Sequence, residues 1–123
     1  MRTIKYRAWD KEKEKMISHE DLMNQDWNLL RPMAQPHTSN WLMLQYTGLK
    51  DKNGKEIYEG DVLIYENALG ERAKDKEGIV VFEKAAFRFS PIHFKYEHSA
   101  PINSYTKRHV VIGNIHENPE LLN

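Results

Sequence analysis

Six histidines, at positions 19, 37, 93, 98, 109 and 116, and eighteen acidic side chains are the groups in this 123-residue chain that could hold a metal or move a proton. Their spacing assembles no recognisable site. There is no HxH or HExxH pair, and His109 and His116, seven apart, would project from opposite sides of a regular strand. His93 and His98 flank a loop and could approach one another, yet two solvated imidazoles are the simpler expectation. Glu59-Gly60-Asp61 could be an acidic metal site. Directly before an apolar strand, however, it reads as a turn: the glycine supplies a positive φ and the aspartate bonds nearby backbone amides. Gly48 and Gly54 are read in the same structural way, because no GxGxxG or GxxxxGK[ST] loop is present to cradle phosphate. No GxSxG elbow occurs, and the absence of cysteine excludes disulfides, thiolate catalysis and Cys-ligated zinc. The expectation is a chain without catalytic residues, metal or cofactor.

One stretch is suited to binding. Phe87-Arg88-Phe89, followed by His93-Phe94-Lys95-Tyr96, interleaves aromatic rings with cations. On a barrel surface, exposed rings stack on unpaired bases while Arg88 and Lys95 meet phosphates. The candidate binding patch is therefore Phe87, Arg88, Phe89, His93, Lys95 and Tyr96. Against it, phenylalanines two apart share one strand face, and filling the core with them, leaving Arg88 in water, is the commoner use of that side chain. Eighteen Lys+Arg balance eighteen Asp+Glu, so no global field draws the protein to nucleic acid or to an anionic membrane.

The elements that must position these groups are mostly strands. At this length one domain, residues 1–123, is expected. Residues 4–9 alternate in the period of a half-buried strand, and a charged turn over 10–15 leads into Met16-Ile17, making a hairpin. Ser18 with Asp21 three residues on is an N-cap arrangement, and the spacing predicts a helix over 19–30 ended by Pro32, then a loop over 31–40. Further strands are predicted at 41–47, 55–58, 62–66, 78–83, 87–89, 93–96 and 108–115. Asn53-Gly54 predicts a primed two-residue hairpin turn, which makes Gly54 far more sensitive to substitution than Gly70. Residues 67–77, charged and without apolar period, read as a mobile, solvated hairpin loop that tolerates shortening over 69–76. Asn118-Pro119 predicts a closing helical turn. The predicted core is Tyr6, Leu22, Leu44, Val62, Ile64, Val81, Phe87, Val111 and Ile115. Together these give a mainly β fold (all-β or α+β), a small, strongly bent pseudo-barrel capped by one helix.

Three patches carry a resemblance: Arg7-Ala8-Trp9-Asp10, the run from Gln45-Tyr46-Thr47-Gly48-Leu49-Lys50-Asp51 through Asn53-Gly54-Lys55-Glu56-Ile57-Tyr58-Glu59-Gly60-Asp61-Val62, and Val111-Ile112-Gly113-Asn114-Ile115-His116-Glu117-Asn118-Pro119-Glu120-Leu121. In order and spacing they resemble the YopX family of phage and prophage proteins. Two positions depart from that family: Ala85-Ala86 stands where a glycine is common, and His116 where a tyrosine is frequent. The resemblance implies a mainly β pseudo-barrel capped by a helix, phage or prophage origin and work in the bacterial cytoplasm, and it transfers no catalytic residue. The N-terminal charges where a signal peptide needs an apolar core, and apolar runs far short of the roughly 20 residues that cross a bilayer, give the same expectation of a soluble protein without membrane contact. The leading functional expectation is a non-enzymatic module, a homo-oligomer, that engages a host or phage protein through its strand edges. Weak single-stranded nucleic-acid binding through the Phe87 to Tyr96 patch is the alternative, and an enzyme using Asp61 or a histidine comes third.

Overall fold

The computed structural model describes residues 4–23, 40–93, 99–102 and 106–122. Its elements in chain order are β1 (Tyr6–Asp10), β2 (Lys15–Ile17), α1 (His19–Met23), β3 (Trp41–Lys50), β4 (Glu56–Tyr58), β5 (Asp61–Glu66), β6 (Arg72–Glu83), β7 (Ala86–Pro91), β8 (Ala100–Pro101) and β9 (His109–Asn114), closed by a 3-10 turn at Pro119–Leu122. They form two antiparallel sheets, ordered β2-β1-β3-β4 and β8-β7-β6-β5-β9, the second curled into a half-barrel. The curl has a local cause. The register slips between Val62 and Leu63 against β9 and between Ile64 and Tyr65 against β6, and such bulges bend a strand and raise its twist. No helix among the described residues is long and apolar enough to cross a membrane.

The mainly β architecture with one short helix is the one the sequence predicts. Ser18 caps α1 as expected, its hydroxyl accepting the Asp21 N–H at 3.2 Å. The rest of the predicted helix and the residues of the predicted 93–96 strand after His93 lie outside the described residues. The main core joins Ile57, Leu63, Val80, Phe87, Phe89 and Ile102, with Leu49 and Val111 packed against it. Of the predicted core, Leu44, Val62, Ile64 and Phe87 are buried, whereas Tyr6, Leu22, Val81, Val111 and Ile115 are half-buried. Val80 rather than Val81 faces inward, a one-residue difference that exchanges the two faces of a strand.

Two turn expectations are corrected. Asn53-Gly54 is not a primed turn. Gly54 alone takes positive φ, 84°, in a loop closed by Gly54 N–H to Asp51 O at 3.0 Å and Asp51 N–H to Lys55 O at 2.8 Å, the three-residue type I arrangement with a left-handed glycine. The primed turn lies instead at Lys84-Ala85, with φ of 52° and 60°, between the paired residues Glu83 and Ala86. Residues 67–77 are not a loop either. Only Asn67 to Glu71 turn, and β6 begins at Arg72, which pairs with Glu66. Its charged start carries no apolar alternation because it is held by polar means: Arg72 Nε donates to Glu66 at 3.0 Å, and Lys76 lies 5.2 Å over the Tyr65 ring.

The four end strands of the two sheets are, among the described residues, poor templates for strand addition, contrary to expectation. β2 and β4 have three residues each, and β8 has two, one of them Pro101. β9 is longer, but the hairpin around Asp51 covers its outer side: Lys52 N–H donates to His109 O at 3.0 Å and Val111 N–H to Asp51 Oδ2 at 2.9 Å.

Candidate functional site

Among the described residues the predicted aromatic-basic patch presents no stacking surface. Phe87 and Phe89 are buried in the core, and the Phe89 ring lies so close over Gly78 that a Cβ there would strike it. Arg88, on the opposite face of β7, is not simply solvated: its Nε donates to Ser99 Oγ at 2.8 Å and its Nη2 to Ser99 O at 2.6 Å, while Ser99 Oγ donates to Glu83 at 2.6 Å. His93 is exposed, 3.8 Å from Glu77. Lys95 and Tyr96 lie outside the described residues. The core-filling use of the two phenylalanines prevails.

Asp61 sits where a turn aspartate should. Gly60 takes φ 91°, its N–H donates to Val80 O at 2.8 Å, and the Asp61 Oδ2 accepts the Tyr58 N–H at 2.7 Å. The sequence gives no hint of its other partner. Arg7, 54 residues earlier, donates from Nη2 to Asp61 Oδ1 at 2.6 Å and lies 4.7 Å over the Tyr58 ring. Burial pushes the Asp61 carboxyl up, while the Arg7 charge and the Tyr58 N–H pull it back down. Arg7 Nε is itself buried with no hydrogen-bond partner among the described residues. The pair ties β1 to the start of β5 across the two sheets. Removing one partner would strand a charge in the interior.

The histidines divide by environment. His109 is buried beside Tyr65 and Phe89, and desolvation followed by the nearby Lys76 charge lowers its pKa to about 4. His116 stacks on Trp9 with ring centroids 5.6 Å apart, and burial lowers its pKa as well. No group of three or more His, Asp or Glu among the described residues is placed to hold a metal.

The surface carries several concavities, among them two with apolar linings of note. Exposed Leu42 and Phe82 line, with Val80, Ile115 and His116, a largely apolar groove of about 260 Å³. A larger cleft, about 660 Å³, opens on the half-barrel. Ile64, Ile112 and Leu121 supply its apolar side chains, and Arg72, Lys74, Glu77, Glu120 and others its charged ones. The size is that of ligand sites, which combine an apolar lining with a few placed polar groups. Sequence reading missed the cleft because one of its walls is the first half of β6, the stretch taken for a loop.

A model of the YopX protein family matches residues 5–123. The crystal structure of protein EF1440 from Enterococcus faecalis is similar over 100% of both chains, with a TM-score of 0.65 and 26% sequence identity. No curated protein matches the chain. The family match takes in all three sequence patches. The chain belongs to the YopX family.

Proposed function

We propose that this protein is a non-enzymatic interaction module that engages a host or phage protein through the cleft on β5, β6 and β9. The cleft itself carries the reading: an apolar floor ringed by charges suits a polypeptide, whose side chains offer both apolar and ionic groups. Support also comes from the polar interior. Asp61, the acid on which an enzymatic reading would rest, has its oxygens engaged by Arg7 and by the Tyr58 N–H, a structural duty rather than a poised one. Origin in a phage or prophage and action in the bacterial cytoplasm follow from YopX kinship as part of the same proposal. Nucleic-acid binding loses its main support with the burial of Phe87 and Phe89.

The test is a photo-crosslinking residue placed at Lys74 on the cleft wall or at Lys13 in the exposed β1–β2 turn, in cells carrying the parent phage or prophage. A discrete protein adduct from position 74 alone, re-formed with purified components, is expected. Equal adducts from both positions, or none, would overturn the assignment.

A further inference from the structure

The charges around the cleft are sorted along its length. Pairing of Glu66 with Arg72 marks one end, and pairing of Ile64 with Glu77 lies further along the same sheet. Lys74 to Lys76 lie in the register shift between Ala73 and Glu77, so the two pairs are only two residues apart on β5, about 7 Å at about 3.3 Å per residue. At the Arg72 end stand Arg72 and Lys74, Arg72 also bonded to Glu66, which lies outside the lining and bonds Lys52 as well. At the other end stand Glu77 and Glu120, with His93 3.8 Å from Glu77. Glu120 belongs there because a Cβ on Gly113 would lie 3.0 Å from Leu121, and Gly113 pairs with Val62, beyond Ile64. Asp75 lies between the two groups, and Ile64 and Ile112 run beneath.

We infer that the cleft takes a short segment, about three extended residues, of a partner polypeptide, acidic at one end, apolar in the middle and basic at the other, with its acidic end on Arg72 and Lys74. This deepens the interaction-module reading and rests on it. Charge complementarity selects the occupant. A run of phosphates along the cleft would meet Arg72 and Lys74 favourably but then Glu77 and Glu120, and like charges brought together across an interface are strongly unfavourable. A uniformly apolar segment would desolvate the charges of both walls and offer them no new partner. A segment with its charges split satisfies both walls and the floor.

The test selects random eight-residue peptides displayed on phage against the purified full chain, then measures the leading peptide, fluorescein-labelled, by anisotropy. Enrichment of peptides with apolar residues between an acid and a base is expected. Lys74→Glu should weaken that peptide at least about tenfold without lowering the melting temperature, and Ile112→Asp should abolish binding. If Ile112→Asp does not melt cooperatively, Leu121→Asp, outside the sheets, takes its place. Enriched peptides lost with the floor variant but lacking split charges would overturn the polarity and leave the cleft reading standing. No enrichment, or peptides indifferent to the floor variant, would overturn both. Floor-dependent binding of a labelled oligonucleotide, or floor-dependent self-association in sedimentation, would replace the polypeptide with that occupant.

Discussion

The hairpin loops at Asp51–Lys55 and Asn67–Glu71 have the same backbone and opposite duties. In each, a residue with a side-chain oxygen opens the turn, that oxygen accepts the N–H groups two and four residues on at 2.8 to 2.9 Å, and a glycine near φ +83° closes it. The difference lies in the second side-chain atom. Asp51 is buried, and its other oxygen accepts the Val111 N–H at 2.9 Å, which ties the hairpin to the edge of β9. The second side-chain atom of Asn67 instead reaches only Glu71, 3.1 Å away in its own exposed turn. One hairpin is a clamp of the fold. Its twin leads directly into the basic wall of the cleft. Lys52 links them, donating to Glu66 at 3.1 Å and to Asn67 O at 2.9 Å. A shared turn design thus fixes local shape only, and what the side chain reaches beyond the turn decides whether the turn carries stability or is free to serve a surface.

The largest effect that could break this contrast is removal of the opening side chain. Asp51→Ala removes from a buried side chain the acceptor of three N–H groups, that of Val111 on β9 among them, and should cost about 3 kcal/mol, whereas Asn67→Ala, at an exposed turn, should cost about 1 kcal/mol. Urea unfolding of both variants measures the difference, and equal losses would end the distinction between clamp and surface turn.

Acid should act on the clamp side. His109, whose carbonyl accepts the Lys52 N–H, has a folded pKa of about 4 against an ordinary 6.5, so the unfolded chain binds more protons between those values. Stability contributed by His109 is complete above pH 6.5 and is lost as the pH falls toward 4. Asp61, with a raised carboxyl, works in the opposite sense, its protonation favouring the folded state as the pH falls. Thermal melts of wild type and His109→Gln across this window should show a steeper acid loss in wild type; parallel curves would remove His109 as the cause.

Backbone terms should be alike in the two hairpins. Gly54 and Gly70, at φ 84° and 82° with open space where a Cβ would go, should each lose about 1 kcal/mol on replacement by alanine. That replaces the expectation that Gly70 is the permissive one, and a cost confined to Gly54 would restore it. The smallest effect has the opposite sign. Ala85, at φ 60° in the β6–β7 turn, should gain roughly 0.5 kcal/mol as Ala85→Gly, read as a raised urea midpoint.

Much of the fold was legible where local pattern and local structure coincide. β1, β3, β4, β5, β7 and β9 fall on the predicted runs, Gly60-Asp61 turns as its residue types require, and Pro119 opens the closing turn. The first half of β6 was illegible because Arg72 to Glu77 are charged on both faces and gain their strand from pairing with β5 rather than from an apolar period. The Asn53-Gly54 dipeptide misled because its turn is organised by Asp51, just upstream. At the candidate site, burial of the Phe87 and Phe89 pair was readable from their spacing. The Arg7–Asp61 bond and the cleft were not, since each joins residues brought together only by the sheets.

Amide hydrogen exchange of the native protein tests the contrast between the hairpins most directly. The N–H groups of Lys52, Lys55 and Val111 should exchange only with global unfolding, while those of Leu69 and Glu71, bonded in the same geometry at an exposed turn, should exchange through local opening at least about tenfold faster. Equal protection of the two sets would contradict the division into a clamp and a surface turn.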